Sequence, residues 1–268
     1  MDPLAALLDL AGVASALDAA RDRVDHALRH RALRRHGGQI AAEASLRGAV
    51  ASAMLEGHRY GLEEVRAGTV TDPVLQGALR VAEGLGPLVD LWPRAPRQVL
   101  ARLHVLAARG VVPDGVLGRP APAGLAGGAS DVPAGLAGGG SDVPGGFISD
   151  RLDALAGLVA GNAATPPLLL AAIVHAELLS LRPFAGPAGI IARAAARLTL
   201  IGRGLDPRGL VAVDVGHLAR EPEYVGAAGA YATGTPDGVR SWLRHYAAAV
   251  TAGADELTAM GDEVLAPA

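Results

Sequence analysis

Residues 166–193 read PPLLLAAIVHAELLSLRPFAGPAGIIAR, from Pro166 to Arg193, and their pattern decides the fold. Thr165 offers a hydroxyl N-cap and Pro166 falls where a missing N–H costs nothing, so a helix is predicted to open there. It is apolar nearly all round as far as Leu181, the mark of a helix buried on every side. Arg182-Pro183-Phe184-Ala185-Gly186 follows as a tight loop. A second apolar helix starts at Pro187 or Ala188 and ends near Gly202 or Gly204.

The rest of the chain is of the same kind. Of its 268 residues, 50% are apolar and only 3% aromatic, and the mean hydropathy is +0.30. Alanine supplies much of this apolarity and favours helix over sheet. Ala, Leu and Arg recur at helical spacing, while period-two runs of β-branched residues are scarce. The fold class is all-α, with a sizeable core. The longest clean apolar run, 166–174, is too short to span a bilayer. Asp9 and Asp18 interrupt the opening apolar stretch, so it is not a signal peptide.

Composition also excludes chemistry. There is no lysine and no cysteine, and Asn162 is the only asparagine. With the richness in Ala, Gly, Arg and Pro, this reads as a high-GC coding bias. The missing lysine rules out a Walker-A loop, a pyridoxal Schiff base and a lysine general base. The missing cysteine rules out disulfides, thiol nucleophiles and cysteine metal sites, and is consistent with a cytoplasmic location. Neither a G-x-S-x-G elbow nor a G-x-G-x-x-G fingerprint occurs. A formal net charge of −3 gives no global attraction to nucleic acid.

Along the chain, residues 4–35 read as one or two amphipathic helices ending at Gly37-Gly38, and 41–66 as the next helix. Asp72-Pro73 and Ala95-Pro96 start two more. Residues 122–132 (PAGLAGGASDV) and 133–143 (PAGLAGGGSDV) form a tandem repeat differing only at Ala129 and Gly140. Such glycine-rich sequence buries too little surface to offset its ordering entropy, so 118–146 is read as a flexible loop. The chain divides into N-terminal helices over 1–117, this loop, and a core with C-terminal helices over 147–268, all within one domain.

The helix–loop–helix unit resembles the core of the Fic (Fido) family, whose signature is H-P-F-x-[D/E]-G-N-[G/K]-R-x-x-R. Here it reads R-P-F-A-G-P-A-G-I-I-A-R. The resemblance implies that the motif histidine takes a proton from a target hydroxyl, which accepts AMP from ATP. Arg182 stands there, and a guanidinium cannot act as a base. The acidic residue that holds Mg²⁺ is replaced by Gly186. The Gly and Asn of the anion-binding turn are replaced by Pro187 and Ala188, and the first phosphate-binding Arg by Ile190. Pro183, Phe184, Gly189 and Arg193 are retained. Phe184 packs in the family, and Arg193 matches the Arg that steadies the terminal phosphate.

Upstream, Ser52, Glu56 and Gly57 fit the family's inhibitory helix, [S/T]-x-x-x-E-[G/N], near 45–66. The resemblance implies that this glutamate pairs with the second motif Arg and blocks productive ATP placement. Glu221-Pro222-Glu223-Tyr224 and the segment 241–246 resemble the family's C-terminal helices, and the likeness covers roughly 45–255. Residues 112–119 resemble the start of the flap that docks a target segment by strand addition. The repeat that follows has neither alternating β-formers nor aromatics, so this device is read as degraded. Taken singly, Glu56 and Arg193 are equally consistent with unrelated surface charges. The order and spacing of all these features favour the resemblance.

Other sites are weaker. The basic run 21–36 is read as a solvated helix face, with no aromatics for stacking on nucleic acid. His26 and His30 have zinc-ligand spacing beside Asp22, without further ligands in pattern, so no metal site is assigned. His175 is read as a core histidine and, with His217, as the weak candidate for a replacement base. His58, His104, His217 and His245 form no constellation in the sequence. The expectation is a degenerate Fic-like pseudoenzyme: a helical scaffold for a protein partner, with weak or no nucleotide binding. The alternative is an active nucleotidyl or phosphoryl transferase with a non-standard motif. ATP and Mg²⁺ enter only under that alternative.

Overall fold

The structure is a computed structural model, and it describes residues 2–120, 145–161 and 164–266. Among them no strand occurs beyond an isolated bridge between Arg109 and Val112. Eleven α-helices are present among the described residues. They are α1 (Val13–Leu28), α2 (Leu33–Met54), α3 (Leu62–Arg66), α4 (Pro73–Gly84), α5 (Pro96–Ala108) and α6 (Gly145–Gly161), then α7 (Pro167–Leu181), α8 (Ala188–Gly202), α9 (Val213–Ala219), α10 (Glu221–Ala232) and α11 (Pro236–Leu265). None is long and apolar enough to cross a membrane. The repeat at 122–143 and the flexibility expected of 118–146 lie almost wholly outside the described residues.

The two helices of the deciding stretch end within a residue of their expected limits. The cap differs. Pro166 occupies the N-cap with extended backbone and Pro167 the first helical position. The Thr165 hydroxyl instead donates to Asp2 Oδ1 at 2.9 Å. A second difference lies at Gly37-Gly38, where no helix ends: α2 runs straight through them. Two glycines cost a helix about 1 kcal/mol each. Burial of Leu33, Ile40 and Ala44 along the same helix offsets that cost. A third difference concerns 41–66, which is not one helix. α2 stops at Met54, Gly57 reverses the chain with φ 92°, and α3 is a separate short turn.

Two apolar clusters meet on α7. One joins α1, the first half of α2, α9, α10 and α11, with Trp242, Tyr246 and Leu257 buried in it. The other joins the second half of α2, α4, α5, α6 and α8, with Trp92, Leu103 and Ile190. Helix α7 gives Leu169 and Ala172 to the first cluster and Leu170, Val174 and Leu178 to the second. This is why it has no polar face. Truncating such a leucine to alanine costs about 2–5 kcal/mol. Helix α1 packs along α11, and α9 lies across both α2 and α11. Gly216 permits the second approach, since a Cβ there would collide with the carbonyl of Ala249. That contact sets Asp214 and His217 of α9 against the centre of the molecule.

Candidate functional site

The loop between α7 and α8 is held by a histidine. The N–H of Gly118 donates to His104 Nδ1 at 3.0 Å, so the ring proton is on Nε2, which donates to the Ala185 carbonyl at 2.9 Å. Burial keeps this imidazole below its usual pKa, partly opposed by the Ala185 bond. Its ring lies 4.8 Å from that of Phe184. Arg182 closes α7 at φ 43°, ψ 56°, the only positive φ at a non-glycine among the described residues. Gly186 turns the chain again at φ 84°. Phe184 is buried, as expected for a packing residue.

At the start of α8, Gly189 and Arg193 meet Glu56. Arg193 is 3% exposed, and every donor group of its guanidinium is engaged. Nε donates to Ser52 Oγ at 2.8 Å and lies 3.3 Å from Asp214 Oδ1. Nη2 donates to the Ser52 carbonyl at 2.9 Å and to Glu56 Oε1 at 2.8 Å. Nη1 donates to the Tyr224 hydroxyl at 3.1 Å. Burial works to discharge this arginine, but Tyr224, Glu56 and Asp214 outweigh it and hold its pKa above the ordinary value. Burial also pushes Tyr224 up to about 12, despite the neighbouring Arg193.

The sequence-predicted residues thus separate into two groups. Ser52, Glu56, Gly189 and Arg193 come together. Gly57 makes the turn beside them and touches none of them through a side chain. Arg182, Gly186, Pro187, Ala188 and Ile190 form the loop and first turn of α8, with no carboxylate among them. The residues present do not fit a phosphate-bound Mg²⁺. Gly186 offers no oxygen ligand from a side chain. The carboxylate nearest Gly189 is Glu56, and it is bound to Arg193.

Three partners were missed: Asp214, Tyr224 and the Ser52 carbonyl. An acid between Val213 and Val215 was the available signal for Asp214. The histidines also require correction, because His175, His217 and His245 do gather. His175 Nε2 meets the Tyr224 hydroxyl at 3.0 Å, and His217 Nδ1 meets His245 Nε2 at 3.0 Å. The rings of His175 and His217 stand edge to face, 5.0 Å apart, with Trp242 against both. Burial holds His175 and His217 well below the usual pKa, with repulsion from Arg193 and the neighbouring histidines adding to it. Burial lowers His245 to about 4, with Glu223 opposing and Arg220 assisting. Elsewhere, His30 meets Asp262 at 3.2 Å while His26 lies exposed, so the two do not share a ligand. Among the described residues no group of three or more His, Asp or Glu side chains, the gathered histidines included, is placed to hold a metal ion.

No protein-family model and no curated protein matches the chain. Solved structures do. A Fic family protein from Desulfovibrio desulfuricans G20 matches at 20% identity with a TM-score of 0.69, over 91% of this chain and 74% of that one. A glutamate-to-glycine variant of Fic-1 from C. elegans matches at 18% identity and TM-score 0.67, over 96% of this chain and 74% of that one. Fic-1 without that change matches at 16% identity and 0.62, over 96% and 73%. The fold of this chain is that of the Fic proteins.

Proposed function

We propose that this chain is a degenerate Fic-fold protein that transfers no AMP and serves as a scaffold or regulator through a protein partner. One observation carries the reading: from Arg182 to Ile190 the loop and first turn of α8 hold neither a base nor a carboxylate where the resemblance calls for both, while Arg193, the cation that would steady a terminal phosphate, is buried and bound by Ser52, Glu56, Tyr224 and Asp214. Anion binding at the start of α8 would require Glu56 to leave, since a Cβ on Gly189 would already collide with its carboxylate. Arg182 in place of the motif histidine removes the base, a loss of typically about 10²–10⁴ in rate.

The rival reading, a transferase with a base from elsewhere, draws on His175 or His217. Both are buried within the aromatic cluster, at 0% and 1% exposure, so neither reaches a target hydroxyl as folded. We place the protein in the cytoplasm, on its cysteine-free composition.

The test combines calorimetry with labelling. We expect ATP affinity weaker than about 1 mM, little changed by Mg²⁺. We expect Glu56→Gly to destabilise the fold and to yield no AMP adducts from labelled ATP, on itself or on cell extract. Tight Mg²⁺-dependent binding would overturn the pseudoenzyme reading, and labelled adducts on that substitution would establish the transferase instead.

A further inference from the structure

Helices α7, α8, α9 and α11 line a small cavity beside Arg193, bordered by His175, Ala196, Arg197, Asp214, His217 and Tyr246 among others. It offers about 10 Å³ to the centre of a water molecule, about the room that one water takes. Four of the lining side chains carry a buried polar atom with no partner among the described residues. These are His175 Nδ1, Arg197 Nε, His217 Nε2 and the Tyr246 hydroxyl. Buried polar atoms nearly always have partners, so four together around one polar cavity point to a ligand.

We propose that this cavity is a binding site for a single water molecule, which closes a hydrogen-bonded chain from His245 to the Arg193–Glu56 pair.

Donor accounting fixes the ligand. The Tyr224 hydroxyl accepts from Arg193 Nη1, so its own proton goes to the other neighbour, His175 Nε2. The His175 proton is therefore on Nδ1, the unpartnered nitrogen of a ring that lines the cavity. Arg197 Nε is always a donor. A ligand that accepts from these two and donates to His217 Nε2 and the Tyr246 hydroxyl satisfies all four atoms, and water has that capacity. With Nε2 accepting, His217 carries its proton on Nδ1 and donates to His245 Nε2. His245 in turn borders a cleft between α10 and α11 that is lined also by Glu223, Ser241 and Arg244. The chain then runs from His245 through His217, the water, His175 and Tyr224 to Arg193 and Glu56. It is broken where His217 and His175 face each other, and at its outer end His245 Nδ1 is buried with no partner among the described residues. A halide fits less well, because Asp214 lines the same cavity and His217 would have to become a donor.

High-resolution crystallography and nitrogen NMR of the imidazole rings test this on the intact chain. The expected result is one density peak within hydrogen-bonding distance of His175 Nδ1 and His217 Nε2, together with Nδ1–H tautomers for both rings. A dry cavity, or His175 with its proton on Nε2, would overturn the proposal. Crystals grown in bromide separate the remaining case: an anomalous peak in the cavity would make the ligand an anion and also overturn it.

Discussion

The Glu56 carboxylate lies where a side chain on Gly189 would begin, so the inhibitory-type glutamate and the first turn of α8 are fitted to each other. A carboxylate against a helix N-terminus is also electrostatically favourable there. Replacing a helical glycine by alanine ordinarily stabilises by about 1 kcal/mol. At this position the sign reverses, because the methyl group displaces Glu56 and with it Arg193. Gly189→Ala should lower stability by about 1–3 kcal/mol, the usual range for overpacking. Urea denaturation reads it, and a stabilised variant would mean that Glu56 moves aside freely.

Arg193 has two carboxylates, and each insures against loss of the other. Glu56→Gln alone or Asp214→Asn alone should cost about 1.5 kcal/mol, the loss of one bond to a charged group. The pair together strips a buried cation of both counter-charges and should cost about 5 kcal/mol. A double-mutant cycle should therefore show a coupling of about 2 kcal/mol. Simple additivity would mean that Asp214 does not share the arginine.

The histidine cluster makes the fold acid-sensitive. His175, His217 and His245 are kept neutral by burial, with His245 lowered to about 4. In the unfolded chain they titrate at about 6.5. Between those values the unfolded state takes up protons that the folded state refuses. Stability is thus complete above about pH 6.5 and falls as the pH drops, each group contributing a slope of about 1.4 kcal/mol per pH unit. Melting temperatures should be level from about pH 8 to 7 and decline steeply below about pH 6. His245→Gln should flatten that decline, and an unchanged slope would locate the acid sensitivity elsewhere.

Asp206 is a compact determinant of the turn after α8. It is 1% exposed, and its two oxygens accept from the N–H groups of Leu210 and Val211 at 2.9 and 2.8 Å. An asparagine has one acceptor oxygen, so Asp206→Asn leaves one buried N–H unpaired. The expected loss is about 1–3 kcal/mol, with local amide exchange accelerated at 210 and 211. Unchanged protection at both amides would show that the turn is held by its packing alone.

Helix α7 and helix α8 were legible because their ends carry proline and glycine and because an all-apolar helix has one stable place. Ser52, Glu56 and Arg193 were legible only through the resemblance of their segments to the family's motifs, since 137 residues separate the last two. What was not legible depends on tertiary approach. Asp214 reaches Arg193 because Gly216 lets α9 close against α11, and Tyr224 reaches it from a further helix, α10. The histidines gather from three different helices, and no local spacing reports that. Gly37-Gly38 misled because glycine signals a helix end only where burial does not outweigh its local cost.

The packing of α1 along α11 also governs how the chain acquires its shape during synthesis. His30 meets Asp262, and Arg23 meets Asp255, each pair 232 residues apart in sequence. At about 5–20 residues per second, a ribosome needs roughly ten seconds to most of a minute to make the intervening segment. Throughout that interval the apolar stripe of α1, with Val13, Leu17 and Val24, has not met its main partner. The N-terminal portion must therefore remain open, or be shielded by a chaperone, until α11 emerges and closes it.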